Sequence, residues 1–162
     1  MSWEYQEGSC NTIVTGFTGT VPAVLSVSAG VLTIGDNVLV GETNLQTLTL
    51  NASLQTIGNS AFGSCTNLSS VTINNNLQTI GEFAFANTAL RSVTFGPSLN
   101  TMSDAAFAGC TNLTSVTFTG NNIILPLGDF PPFNGVPATL FSAPSTWVGP
   151  NTIGPMSLSG FQ

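Results

Sequence analysis

The chain contains no lysine and no histidine, and Arg91 is its only cation. Charged residues make up 5% of its 162 positions, against about a quarter in an ordinary soluble domain. That scarcity excludes whole classes of function. One cation against seven acids, with a net charge of −6, cannot neutralise a run of phosphates, which removes nucleic acid as a partner. The same balance does not suit an anionic membrane surface. No apolar run reaches the roughly 18 residues that a membrane-spanning helix needs, so membrane insertion is not expected either. Without His or Lys, general acid–base chemistry would fall to a few carboxylates and Tyr5, and no nucleophile–base pair or Gly-rich phosphate loop stands out. The expectation is a non-enzymatic protein with no cofactor and no metal. Cysteine is also scarce: Cys10, Cys65 and Cys110 are an odd number without CxxC spacing or histidine partners, which argues against both a complete disulfide framework and a zinc site. The opening "MSWEYQEGSC" lacks the basic start and apolar stretch of a signal peptide. A leader already removed, another export route and no export all remain open.

Ser, Thr, Asn and Gly stand where Lys and Glu normally do, and the mean hydropathy is +0.35. These residues are arranged in a repeat. "TIGNSAFGSCTNLSSVTI" begins at Thr56, "TIGEFAFANTALRSVTF" at Thr79 and "TMSDAAFAGCTNLTSVTF" at Thr101. Positions 54–73 and 99–118 agree at eleven of twenty places. Repeats of this length mark a solenoid. The units read as 31–53, 54–76, 77–98 and 99–121, the third being one residue short at "FANTAL" against "FGSCTNL". Residues 1–30 read as an N-terminal entry or cap, 122–146 as an exit repeat, and 147–162 as a C-terminal tail or cap, within one domain.

Alignment of the units creates apolar columns: Ile34, Ile57, Ile80 and Met102; Leu39, Phe62, Phe85 and Phe107; Leu45, Leu68, Leu90 and Leu113; Leu48, Val71, Val93 and Val116; Leu50, Ile73, Phe95 and Phe118. A unit alone would leave these residues in water, whereas stacked units bury them as one core. "SVTI" alternates apolar and polar, as a short strand does. "NSAF" and "DAAF" read as a short helical turn opened by a capping Asn59 or Asp104. One strand and one helical turn or loop per unit predicts a leucine-rich-repeat solenoid, with a short parallel sheet on one face.

The spelling "IGxxAFxxCxxLxxVxI" resembles the BspA-like leucine-rich repeats, closely over 54–118 and more loosely over about 10–146, where "TIVTGFTGTVPAVLSV" looks like an entry segment and "FNGVPATLFSAP" like an exit repeat. The resemblance implies a right-handed solenoid of the kind found on surface and secreted proteins, used in adhesion and partner binding, with no implied enzyme activity. Unit one departs from the pattern, with Leu39 and Glu42 where Phe and Cys stand elsewhere, and unit three has lost its Cys.

Four sets of residues are candidate sites. Thr47, Thr49, Ser70, Thr72, Ser92, Thr94, Ser115 and Thr117 form outward-pointing hydroxyl ladders. They read either as good β-formers on an exposed sheet or as a flat, uncharged contact face for protein or carbohydrate, and regular Thr rows also resemble ice-binding solenoids. A second Thr row, Thr33, Thr56, Thr79 and Thr101, lies at another edge. Asn51, Asn67 and Asn112 head N-glycosylation sequons, two of them within the repeated word "TNL". Asp36, Asn59, Glu82 and Asp104 share one place in the four units, which fits helix capping first, and Ca²⁺ binding or an acid–base pair next. Trp147, Met156, Leu158 and Phe161 give the tail an apolar character suited to capping the last coil or docking on a neighbouring subunit. Cys65 and Cys110 sit two units apart, about 10 Å at the strand spacing, too far for a disulfide.

Two functions from different classes follow. The first is a self-assembling structural subunit of an extracellular fibre, surface layer or virion capsid, a homo-oligomer or polymer whose weakly charged ends stack. The alternative is a cell-surface adhesion or partner-binding module. Both place the chain outside the cell or on a surface.

Overall fold

The computed structural model describes residues 1–8, 12–120 and 132–136, with the backbone of 141–142. Twelve short strands form three sheets in this region: β1 (Ser2–Tyr5), β2 (Ile13–Thr18), β3 (Val24–Ser26), β4 (Thr33–Ile34), β5 (Thr47–Thr49), β6 (Thr56–Ile57), β7 (Ser70–Thr72), β8 (Thr79–Ile80), β9 (Ser92–Phe95), β10 (Thr101–Met102), β11 (Ser115–Phe118) and β12 (Phe141–Ser142). The chain winds as a leucine-rich-repeat solenoid, each coil adding one strand to each of two faces.

The first face is a six-stranded sheet in the order β1-β2-β4-β6-β8-β10. Successive coils pair in parallel and in the register of the repeat, Thr33↔Thr56 and Ile34↔Ile57, then Thr56↔Thr79 and Ile57↔Ile80, then Thr79↔Thr101 and Ile80↔Met102. The repeat spacing dictates this register, because a one-residue slip would turn Ile34, Ile57, Ile80 and Met102 out of the core, where all four are fully buried. The opposite face carries β3-β5-β7 and β9-β11-β12 as two separate three-stranded sheets.

The segment 12–30 is a coil in its own right: β2 pairs in parallel with β4, and β3 with β5. It buries Val14, Val21, Leu25 and Val27. β1 then folds back antiparallel on β2, with a register shift between Glu4 and Tyr5, and lays Trp3 and Tyr5 against the core. Trp3 meets Phe17 edge-on with ring centroids 5.2 Å apart, and its indole N–H donates to the Ser26 carbonyl at 3.2 Å.

Between the faces the stretches read as helical turns are not helices; no helix occurs among the described residues. Each instead forms a five-residue arc whose first and last residues lie in the left-handed region: Asn37 and Gly41, Ser60 and Ser64, Phe83 and Asn87, Ala105 and Gly109. Every second N–H in an arc leaves its own coil. Ser60, Phe62 and Ser64 donate to the carbonyls of Glu82, Ala84 and Ala86 at 2.8–2.9 Å, and Phe83, Phe85 and Asn87 to those of Asp104, Ala106 and Ala108 at 2.8–3.2 Å. An α-helix would keep those bonds inside the segment; a solenoid gains more by spending them between coils, where each one also fixes the stacking.

The core runs between the faces. Phe62, Phe85, Phe107 and Phe133 are fully buried and stack face to face at centroid distances of 5.2, 5.1 and 4.9 Å. Phe95 meets Phe107 edge-on at 5.5 Å and stacks on Phe118 at 4.9 Å. Coils close tightly elsewhere: a Cβ on Gly81 would lie 2.7 Å from the Gly58 carbonyl carbon, and one on Gly58 would lie 2.6 Å from that of Gly35. Gly58 and Gly81 therefore have no room for a side chain, whereas the last coil places Ser103 at the same point of the column.

Candidate functional site

The hydroxyl ladders project from the face opposite the six-stranded sheet. On β5 and β7 the pairs are Thr47↔Ser70 and Thr49↔Thr72; on β9 and β11 they are Ser92↔Ser115 and Thr94↔Thr117. The alternation of each strand sets this orientation. Leu48, Val93 and Val116 point inward and are buried, so their neighbours point outward. Thr49, Ser70, Thr72, Ser92, Thr94 and Ser115 are exposed, while Thr47 and Thr117 are half-buried. The structure adds Ser26, paired with Thr49, and Val24, paired with Thr47; the signal for them, "VLSV" repeating the alternation of "SVTI", lay in the segment read as an entry. The row Thr33, Thr56, Thr79 and Thr101 is half-buried throughout and belongs to the other sheet.

The ladders are not continuous as the aligned units implied. In unit 54–76 Ser69 and Ser70 N–H both donate to the Gln46 carbonyl, at 3.0 and 3.2 Å, and in unit 31–53 Gln46 and Thr47 N–H both donate to that of Ala23 at 2.8–2.9 Å. No such bond joins Arg91 or Ser92 to the Ser69 carbonyl, and β7 and β9 belong to different sheets. The cause is the residue missing from unit three. Thr88 occupies the place of Cys65 and Cys110, but only Ala89 separates it from Leu90, where two residues lie between Cys65 and Leu68. The consequence reaches the core: Val71 and Ile73 are half-buried, unlike their counterparts Leu48 and Leu50 before the seam and Val93 and Phe95 after it.

The remaining candidates are structural in their contacts. The carboxyl of Asp36 accepts the N–H of Asn59 at 2.7 Å, and the side-chain oxygen of Asn59 accepts the N–H of Glu82 at 2.8 Å. This column therefore caps the next coil's arc, not a helix of its own. At its end Asp104 Oδ1 is buried without a partner. Among the described residues no cluster of three metal-ligating side chains occurs. Cys65 and Cys110 are buried free thiols, donating to the carbonyls of Leu39 and Phe85, each at 3.1 Å. Burial pushes the Cys65 thiol up from 9.0 to about 11, the backbone hydrogen bond at Glu42 drawing it back and the Glu42 charge adding to the rise. Burial also raises Cys110, against the hydrogen bonds of Thr88, whose hydroxyl lies 3.2 Å from the Cys110 sulfur.

Of the sequon asparagines, Asn51 is half-buried, with its amide nitrogen donating to the Val31 carbonyl at 3.0 Å and its oxygen accepting the Ser53 N–H at 2.7 Å. Asn67 is exposed and donates to the Thr43 carbonyl at 2.7 Å. Asn112 is exposed. Cys10 and the tail positions Trp147, Met156, Leu158 and Phe161 lie outside the described residues. No helix among the described residues is long and apolar enough to cross a membrane.

Comparison with known proteins agrees with this geometry. Residues 29–130 match the family described as the BspA type leucine rich repeat region. Among solved structures, the leucine-rich-repeat protein of T. pallidum (TpLRR) superposes with a TM-score of 0.69 at 22% identity, over 75% of this chain and 59% of that one. The pneumococcal vaccine antigen PcpA superposes with a TM-score of 0.70 at 24% identity, over 83% of this chain and 34% of that one. A leucine-rich-repeat protein from Bacteroides ovatus gives 0.53 at 14% identity, over 91% of this chain and 53% of that one. The chain thus spans 34–59% of the length of these proteins. No curated protein sequence matches it significantly.

Proposed function

The chain belongs to the BspA-type leucine-rich-repeat family, and from that premise we propose that it is a non-enzymatic, cell-surface partner-binding module whose contact surface is the hydroxyl face of β3, β5, β7, β9 and β11. The observation that carries this reading is the exposure of Thr49, Ser70, Thr72, Ser92, Thr94 and Ser115 on one sheet face without a charge among them. Such a face offers donors and acceptors at the strand spacing, and Arg91, just before β9, is the one cation beside it. The similarity to PcpA, described as a vaccine antigen, supports a location at a cell surface.

The test is adhesion of protein-coated beads to a panel of epithelial cells and matrix-coated surfaces. Thr72→Arg combined with Thr94→Arg places two bulky charges on the face and should abolish adhesion. Gln78→Arg, exposed beside the other sheet, should leave it intact. Adhesion that survives the double substitution removes the face from consideration.

Self-assembly into a fibre, layer or capsid is a second reading, favoured by one feature: β3 is an outer edge strand, Val24 on it is 65% exposed, and no charged residue stands between 8 and 35. Uncharged edges invite pairing with another chain. β1 works against it by covering the neighbouring edge of the six-stranded sheet, and Trp3 by occupying the Ser26 carbonyl. Light scattering separates the readings: a 16.7 kDa species at high concentration leaves the binding module alone.

A further inference from the structure

The seam between β7 and β9 places three features at one point of the hydroxyl face. The first is a pair of backbone donors. The N–H groups of Arg91 and Ser92 lack the inter-coil bonds that Ser69 and Ser70 make one coil earlier, and both residues are exposed. The second is the chain's sole cation: Arg91 immediately precedes β9, its side chain is exposed, and it forms no ion pair among the described residues. The third is the row of free hydroxyls on either side, Ser70 and Thr72 before the seam, Ser92 and Thr94 after it. Away from this point the two coils stay close. A Cβ on Gly96 would lie 2.6 Å from Asn75 Cα, and the arcs remain bonded from Ser60–Glu82 to Ser64–Ala86. The seam is thus a local break in hydrogen bonding between two coils that stay packed elsewhere.

Two adjacent N–H groups beside a guanidinium form a cradle for one anionic group, because charge-assisted hydrogen bonds from a planar fork suit a carboxylate. The rest of the chain limits what carries that group. A net charge of −6 repels a partner with many negative charges in series, such as an acidic peptide or a polyphosphate. A single carboxylate set among hydroxyls matches a single cation set among hydroxyls. We propose that the seam binds the carboxylate of an acidic carbohydrate, held by the Arg91 guanidinium and the N–H groups of Arg91 and Ser92, with Ser70 and Ser92 meeting the adjacent sugar hydroxyls. The proposal rests on the hydroxyl face being the contact surface, and names the ligand class it takes there.

The experiment is a titration of the full chain, followed by amide chemical shifts, with a sialylated trisaccharide and with its neutral disaccharide core. Shift changes are expected at Ser69, Arg91 and Ser92, with at least tenfold weaker binding of the neutral sugar. Arg91→Gln, at an exposed position, should keep the melting temperature and weaken sialoside binding at least tenfold; Arg91→Lys should recover only part, since an ammonium lacks the fork. Equal binding of the two sugars, shifts confined to other coils, or unchanged affinity in Arg91→Gln would overturn the assignment. So would a glutamate-terminated peptide binding as tightly as the sialoside, which would transfer the site to peptides. If Thr72→Arg with Thr94→Arg abolishes bead adhesion while Arg91→Gln leaves it unchanged, the seam is wrong and the contact face stands. If neither variant changes adhesion, both fail.

Discussion

Phe85→Ala is the sharpest test of the stacked core. Phe85 is fully buried and lies between Phe62 at 5.2 Å and Phe107 at 5.1 Å, so its removal severs two ring stacks at once. An aromatic side chain of this size buries roughly 150–250 Å², which at about 25 cal/mol per Å² represents roughly 4–6 kcal/mol, part of which Ala retains. The surroundings cannot collapse into the gap, because the arcs on both sides are bonded to Phe85's own coil: Phe62 N–H to the Ala84 carbonyl and Phe85 N–H to that of Ala106. The expected loss is therefore at the upper part of the range seen for Phe→Ala, about 4–5 kcal/mol. In a solenoid each coil is held only by its neighbours, so the damage should also lower cooperativity. Urea melts of the wild type, Phe85→Ala and Thr72→Ala measure it, with Thr72→Ala on the outer face costing less than about 0.5 kcal/mol. A loss below about 2 kcal/mol in Phe85→Ala, or equal losses at the two sites, would refute the stacked column as the main source of stability.

Further outcomes follow from the arcs and the coil contacts. Gly81→Ala should destabilise by at least about 2 kcal/mol in the same melts, since its Cβ would meet the Gly58 and Asn59 backbones at 2.7 Å. Phe83→Asn should instead stabilise by about 0.5–1 kcal/mol, because Phe83 is 41% exposed and held at φ 53°, a conformation that Asn tolerates and Phe does not. Cys65 should resist thiol reagents in the native state and react on denaturation. Because its folded value lies above its ordinary one, its contribution to stability is fully present below pH 9.0 and lost as pH rises toward about 11; melting temperature should fall over that window, less steeply in Cys65→Ala.

The columns were legible because a residue's place in a repeat fixes its neighbours. Ile57, Phe62, Leu68 and Val71 each recur at 22 or 23 residues, and stacking alone brings the copies together. The arcs were misread because small residues behind an Asn or Asp satisfy the rules of a helix start equally well. The spacing of Asn37 from Gly41 signals left-handed residues four apart, but Ser60, Phe83 and Ala105 at the equivalent places hide it. The coil at 12–30 was missed because it conserves only the alternation, with Val14 and Leu25 in the columns and none of the repeat's words. The hydroxyl face was read from the strands' alternation; its seam was not. A single missing residue beside Thr88 is visible in the sequence, while its effect on the hydrogen bonds at the start of β9 depends on how the chain absorbs the shortfall.

The seam also divides the molecule mechanically. The six-stranded sheet and the arcs cross from unit 54–76 to unit 77–98 without a break, whereas the hydroxyl face does not. The continuous sheet then acts as the spine of a book and the seam as its opening edge, so bending is easiest in one plane. The coils through β7 and those from β9 onward should then flex as two leaves, and hydrogen exchange should show the amides beside the seam exchanging ahead of both leaves. A ligand spanning the opening would pin the leaves together, coupling occupancy of the face to the stiffness of the whole rod.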